Sequence, residues 1–476
     1  MKVIVRGWFI SVFSKRSTFI LVILAGLLAI AFLRVDDLRQ VYLQLKGNHY
    51  FVEVIGHPNE ELYNKEWINK RNKLINNHNA SKVFMFSYMR GGSSIGGELF
   101  NCDSSATMWY EPGDAFFAHF YGLYHENIPQ DDLYFSNFTR RKLGKRELQE
   151  MTEFYTNKFS CNYQDLPEEA MTHYFLSEST AMDKYVACRR RHQKQFYGNI
   201  NRCSAHVKSV CSPNKVEVSL KNRCPDYIST TRRFITEDGV QNKSRLITKW
   251  LEHLKKENSS TNISKVTITN LKNFISHGLC VEQIKQENKK CLSLATSKCL
   301  KDKIRVVQVN RMKMEDLEPL LRNNPDMYVI HYVRDPRAIA VSRIAIRKLT
   351  WHPNERQPIG EARFLCQRIR ADLRHRRRLS MKYPGAITQI RYEDLAINPK
   401  DTAKKIYSIF GRVPTKRWAD FVAKHMHAPK DGGGFGISVR NATETTRKWR
   451  KKIPPDQLQS INRICADVIH ALGYSM

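Results

Sequence analysis

The chain has 476 residues, 42% hydrophobic and 11% aromatic, enough apolar surface to bury a large core and to exclude wholesale disorder. Its 78 lysines and arginines outnumber 46 aspartates and glutamates, for a formal charge of +32. A field of that sign selects polyanions: nucleic acid, anionic lipid headgroups or acidic polysaccharide.

Lys2, Arg6, Lys15 and Arg16 precede an uncharged run, Ser17 to Leu33, at the short end of membrane-spanning length. Cations before the run, with Asp36 and Asp37 after it, orient the N-terminus to the cytoplasm. The sequence therefore predicts a cytoplasmic tail over 1–16, a signal-anchor transmembrane helix over 17–33 and a lumenal remainder. A cleaved signal peptide is the alternative, against which stands the lack of a clear small-x-small site after Leu33. Residues 34–80 are polar, interrupted by Gly47, Gly56 and Pro58, and read as a lumenal stem.

Lys82 to Met89 reads as a buried strand ended by Arg90-Gly-Gly-Ser-Ser94, after which Ile95, Leu99 and Phe100 mark a helical face. The stretch from about 129 to 302 is basic and cysteine-rich, and reads as a loop-like insertion with little sheet. Apolar strands return at Ile304–Val309 and Met327–Val333, with a helical segment, Met314 to Leu321, between them. Asp335 can cap the next helix, with Pro336 at its first position and Arg337 to Arg347 as its body. A strand at Ala386–Arg391 and helices near Asp401–Phe410 and Asp456–Leu472 complete the pattern. Strands alternating with helices predict an α/β fold with a parallel, doubly wound sheet over 81–476.

Of 11 cysteines, eight crowd the central stretch: Cys161, Cys188, Cys203, Cys211, Cys224, Cys280, Cys291 and Cys299. In an oxidising lumen they read as disulfides, an even set that can close among itself in a connectivity that spacing does not select. Zinc is the competing reading, but no C-x₂-C pair occurs. Cys366 and Cys465 each border the apolar stripe of a helix expected to pack on the sheet. They are read as a bridge tying the C-terminus to the core, with free packed thiols as the alternative; Cys102 is then the odd thiol. Six N-x-S/T sequons, at Asn79, Asn137, Asn242, Asn258, Asn262 and Asn441, fit the lumenal side and argue against nucleic-acid binding.

Two segments carry chemistry. A glycine turn at a helix N-terminus offers successive N–H groups and the helix dipole to an anion; Arg90 adds a cation, and Ser93 and Ser94 add hydroxyls. It is not a Walker A loop, and such a turn can also serve backbone packing alone. In the second segment, Val333 to Arg343, Arg334 ends an apolar strand, where open α/β sheets bind ligands, and Ser342 follows two helical turns later. The competing reading is an ordinary N-cap with solvated arginines.

Together these segments resemble the Golgi carbohydrate sulfotransferases, in particular those that 6-O-sulfate galactose, N-acetylglucosamine or N-acetylgalactosamine. The resemblance extends to Tyr110-Glu-Pro112, Arg391-Tyr-Glu-Asp-Leu-Ala396, Arg440-Asn-Ala-Thr-Glu444, Lys448-Trp-Arg450 and Leu472-Gly-Tyr474. It covers about 81–125 and 304–476, with only a cysteine-rich likeness between. Gly91 replaces the family's usual serine in the first loop, and Val439 stands where a serine often precedes the Arg-Asn segment.

The resemblance implies a sulfotransferase fold, P-loop-like, and a Golgi type II enzyme using 3′-phosphoadenosine 5′-phosphosulfate (PAPS) as co-substrate and no metal. Arg90, Gly91, Gly92, Ser93 and Ser94 would bind the 5′-phosphosulfate; Arg334 and Ser342 would hold the 3′-phosphate. Glu111 is the first candidate for the base that takes the acceptor hydroxyl's proton, His119 the second. Glu393 and Asp394 read as structural carboxylates. The expected partner is a glycan or glycosaminoglycan acceptor such as chondroitin or keratan, contacted by the basic runs at 188–196 and 374–378; a homodimer is compatible with the reading. The rivals are an inactive membrane-anchored glycosaminoglycan-binding protein and a lumenal nucleotide-dependent kinase.

Overall fold

A computed structural model describes residues 58–77, 79–121, 143–192, 198–211, 224–236, 239, 241–257, 265–345, 358–426 and 441–476. The transmembrane helix expected over 17–33 lies outside these residues; among them, no helix is long and apolar enough to cross a membrane.

Five apolar segments form the strands β1 (Ser81–Phe86), β2 (Ala106–Tyr110), β3 (Ile304–Val309), β4 (Met327–Val333) and β5 (Ile387–Arg391). They pair in the order β2-β3-β1-β4-β5, every pair parallel. In β1, Val83 and Met85 join one hydrophobic cluster, while Phe84 and Phe86 join another. The strands β1–β4 are thus covered on both faces, which is why they are near-continuous apolar runs, while β5 at the edge is half-buried. Placing β1 between β3 and β4 puts its carboxyl end at the middle of the sheet's ligand-binding edge.

The helices, in chain order, are α1 (Pro58–Asn77), α2 (Ser93–Asn101), α3 (Gly113–Tyr121), α4 (Lys145–Phe159), α5 (Asp183–His192), α6 (Gly198–Cys211), α7 (Cys224–Thr236), α8 (Lys243–Glu257), α9 (Lys265–Lys301), α10 (Pro336–Ile344), α11 (Pro358–Lys382), α12 (Tyr392–Ile397), α13 (Pro399–Ser408) and α14 (Pro455–Ala471). Two of them correct the sequence reading. The polar segment read as stem carries α1, which buries Trp67 and Arg71; the Arg71 guanidinium donates to the carbonyl of Met327 at 2.8 Å. The insertion, expected to be loop-like, has no strand among its described residues but is largely helical. Its α9 buries Leu271, Phe274, Ile275, Val281, Ile284, Cys291, Ala295 and Cys299, a helical spacing hidden in a polar composition. Gly278 lets α9 approach α7 closely: a Cβ there would lie 2.7 Å from Ile235 Cδ1.

The eight central cysteines close among themselves as Cys161–Cys299, Cys188–Cys291, Cys203–Cys280 and Cys211–Cys224. Cys280, Cys291 and Cys299 all lie on α9, which makes this helix the spine to which three bridges are fastened. Among the described residues, the grouping of side chains that could hold a metal ion, Cys188, His192 and Cys291, has both sulfurs in a bridge. Cys366 and Cys465 join α11 to α14, and Cys102 is the free thiol.

Candidate active site

The turn after β1 is built for close approach. Arg90 and Gly92 both adopt positive φ, 67° and 80°. A Cβ at Gly92 would lie 2.3 Å from the Tyr392 ring, and one at Gly91 would lie 2.7 Å from the carbonyl oxygen of Tyr88. Any side chain at 91 must therefore displace the loop, so the departure from the family's serine goes with this backbone. Ser93 starts α2 and is buried, whereas Ser94 is exposed.

Asp335 caps α10 as expected, its side chain accepting from the Arg337 N–H, with Pro336 at the first turn. This helix brings the second segment onto the first. Arg90 Nε donates to Ser342 Oγ at 3.0 Å, and an Arg334 terminal nitrogen donates to the backbone oxygen of Arg90 at 3.1 Å. Arg343 Nε donates to the Met89 carbonyl at 3.2 Å. Three residues of the second segment thus hold the first turn, 244 to 254 positions away in sequence.

Arg334 is buried, with its guanidinium carbon 4.4 Å from the Tyr392 ring centroid. Its Nε has no hydrogen-bond partner, and no carboxylate stands within ion-pair distance among the described residues. A buried cation with an unpartnered donor suits an anionic group, which would supply the missing acceptor. The chain's residues therefore fit a phosphate.

Tyr392 was not expected as a site residue. It touches both segments, packing under Gly92 on one side and Arg334 on the other, and its signal in the sequence was only its place in the Arg391–Ala396 match. The carboxylates beside it are structural, as read. Asp394 pairs with Arg391 at 2.7 Å. Glu393 accepts from the Asp335 N–H at 3.2 Å and from Tyr474 Oη at 2.6 Å, and burial raises its pKa.

The two base candidates diverge. Glu111 follows β2 with φ 42°, and its oxygens accept from Asn310 Nδ2 at 2.5 Å and an Arg311 terminal nitrogen at 2.7 Å. This places it beside the carboxyl end of β3, near Ser87, whose hydroxyl donates to Asn310 Oδ1. His119, in the last turn of α3, instead joins Glu169 and Arg232. Burial and the Arg232 charge hold its imidazole below the ordinary value, while Glu169 is kept ionised by Arg232 and His119 despite its burial. His119 therefore anchors α3 to the insertion.

Residues 225–415 match the family model described as "Sulfotransferase family", a span that includes Arg334 and Ser342 but not the first turn. Carbohydrate sulfotransferase 3 of Mus musculus is 28% identical over 208 residues, 40% of this chain and 44% of that protein. Carbohydrate sulfotransferase 1 of Danio rerio is 26% identical over 219 residues, 42% and 50% of the two chains, and carbohydrate sulfotransferase 2 of Homo sapiens is 26% identical over 196 residues, 33% and 37%. The chain is thus similar over part of its length to carbohydrate sulfotransferases, and a sulfotransferase family model matches its central and C-terminal part. The chain spans half or less of the length of these relatives. The crystal structure of sulfotransferase STF9 from Mycobacterium avium covers 87% of this chain and 82% of its own, at 11% identity and a TM-score of 0.32.

Proposed function

We propose that the protein transfers a sulfuryl group from PAPS to a hydroxyl, the 6-OH, of a sugar in a glycosaminoglycan or glycoprotein glycan such as chondroitin or keratan. It would work in the Golgi lumen as a single-pass type II membrane protein. The observation that carries this reading is the junction of the two phosphate segments at Arg90, held by Ser342 and Arg334. A nucleotide carrying phosphate at both 3′ and 5′ positions needs two cationic, donor-rich segments side by side, and a kinase donor does not.

PAPS supplies an activated sulfuryl group and a phosphate leaving group. Charge develops on that phosphate, and the Arg90 guanidinium with the N–H groups of 92–94 would stabilise it, the Gly91 N–H being given to the Tyr88 carbonyl at 2.7 Å. Arg334 and Ser342 fix the nucleotide's register. Glu111 accepts the proton of the attacking hydroxyl, its carboxylate oriented by Asn310 and Arg311. Positioning and charge stabilisation dominate, as in phosphoryl transfer. The formal +32 charge supports an anionic acceptor chain.

The test is transfer of labelled sulfate from PAPS to a panel of chondroitin, keratan and mucin-type acceptors, with disaccharide analysis of the products. Label on the 6-position of one acceptor class is the expected result. Glycosaminoglycan binding without transfer to any acceptor overturns it in favour of an inactive binding protein.

A further inference from the structure

We propose that Asn310 and Arg311 are positioning residues that aim the Glu111 carboxylate, with Asp114 acting behind Arg311. The inference rests on Glu111 being the base.

Both residues follow β3 directly, so the strand's register places them beside the end of β2, where Glu111 lies. Asn310 is buried and uses both ends of its amide: Oδ1 accepts from Ser87 Oγ, and Nδ2 donates to Glu111 Oε1 at 2.5 Å. Its backbone oxygen accepts from Arg368 at 3.1 Å. The amide cannot flip without losing one bond or the other, so it fixes one Glu111 oxygen relative to the turn that begins after β1. Arg311 spans two carboxylates, with a terminal nitrogen 2.7 Å from Glu111 Oε2 and Nε 3.0 Å from Asp114 Oδ1.

Glu111 itself needs this support. Its φ of 42° is left-handed, which non-glycine residues rarely adopt, and a following proline disfavours most alternatives to extended backbone. Such conformations persist where surrounding contacts over-determine them, and they concentrate at functional sites. Here both carboxylate oxygens are held, one by a neutral amide and one by a cation.

The two contacts differ in kind, which makes the roles separable. Asn310 sets direction without charge. Arg311 sets both direction and charge, and its charge is shared with Asp114. The charged and titratable groups around this network are Arg311, Asp114, His173 (Nε2 3.8 Å from Asp114 Oδ2), Arg368 behind Asn310, and Tyr155, coupled to Arg311 and Asp114.

The experiment is the pH profile of kcat/KM for PAPS-dependent sulfation in the wild type, Asn310→Ala, Arg311→Lys, Asp114→Asn and Glu111→Gln, with PAPS affinity and thermal melting on each protein. Asn310→Ala should lose about tenfold in kcat, the worth of one well-placed hydrogen bond, with its acidic limb unmoved. Asp114→Asn, nearly isosteric, leaves more of the Arg311 charge to Glu111 and should move the acidic limb to lower pH. Arg311→Lys keeps the cation, loses the two-carboxylate span, and should lower kcat with PAPS affinity retained. Normal kcat in Asn310→Ala together with an unmoved limb in Asp114→Asn, while Glu111→Gln is inactive, overturns the positioning roles and leaves the base reading standing. Near wild-type turnover in Glu111→Gln overturns the base reading, and the positioning inference with it.

Discussion

The five strands contain no cysteine, whereas the segment from Cys161 to Cys299 carries eight, all bridged. The strands β1–β4 are largely buried on both faces and are held by apolar contact with helices above and below, while β5 at the edge is half-buried. The insertion's helices offer one apolar face each, and α8 packs with α7 and α9 in a small satellite cluster around Trp250. Where burial per residue is lower, covalent closure of the unfolded chain supplies what packing does not. The candidate site follows the same division. Arg90, Glu111, Asn310, Arg311 and Arg334 all stand just past the carboxyl ends of strands, while His119 is tied to the insertion.

The sharpest way to break this division is at the two base candidates. Glu111→Gln should lower turnover by about 10²–10⁴ with nearly normal PAPS affinity. His119→Asn should spare turnover and lower thermal stability, because it removes a member of the Glu169–Arg232 network. Loss of turnover in the histidine variant alone would move the chemistry to the insertion side.

The next largest effect is on stability. Replacing Cys188 and Cys291 together by alanine opens a bridge across 103 positions and should cost about 2–5 kcal/mol. Because the strands depend on burial, the variant should still bind PAPS wherever it remains folded, as read by calorimetry beside a thermal melt. PAPS binding lost below the melting transition would show that the bridges shape the donor site directly.

This contrast also sets what the sequence could disclose. Strands β3 and β4 were legible to the residue, because a strand covered on both faces must be a continuous apolar run. The Asp335 cap and Pro336 were legible because they are local. The pairing of Cys366 with Cys465 could be read from two apolar helical stripes. In the insertion, α9 was missed although Cys280, Cys291 and Cys299 are spaced by 11 and 8, which keeps them on one side of a helix. β-branched residues at its start and Gly278 in its middle hid the period. Asn310 and Arg311 carry no motif of their own in the sequence. Only the sheet order, which places β3 between β1 and β2, makes them neighbours of Glu111.

Within the sheet region, Arg334→Ala and Ser342→Ala test the donor assignment. A charge-assisted phosphate bond is worth about 1.5–3 kcal/mol, so Arg334→Ala should weaken PAPS by roughly tenfold to a hundredfold, and Ser342→Ala by less. Both proteins should stay folded. Unchanged affinity in both would remove the second segment from the donor site.

The smallest effect concerns how that segment is held without any disulfide of its own. The last residues of the chain clip onto it: Tyr474 donates to Glu393 Oε2 at 2.6 Å, Arg337 to the Ser475 carbonyl at 2.7 Å, and Arg391 to the Gly473 carbonyl at 2.6 Å. Glu393 in turn accepts from the Asp335 N–H at the start of α10, the helix that carries Ser342. Tyr474→Phe keeps the ring's packing and removes a single bond, so it should cost about 0.5–1.5 kcal/mol of stability. Its effect on PAPS is indirect, through the seating of α10, and should be no more than a few-fold in affinity. Isothermal titration with PAPS beside a denaturant melt separates the two quantities. A tenfold loss of PAPS affinity at unchanged stability would place Tyr474 in contact with the donor, making the tail part of the binding surface instead of its fastening.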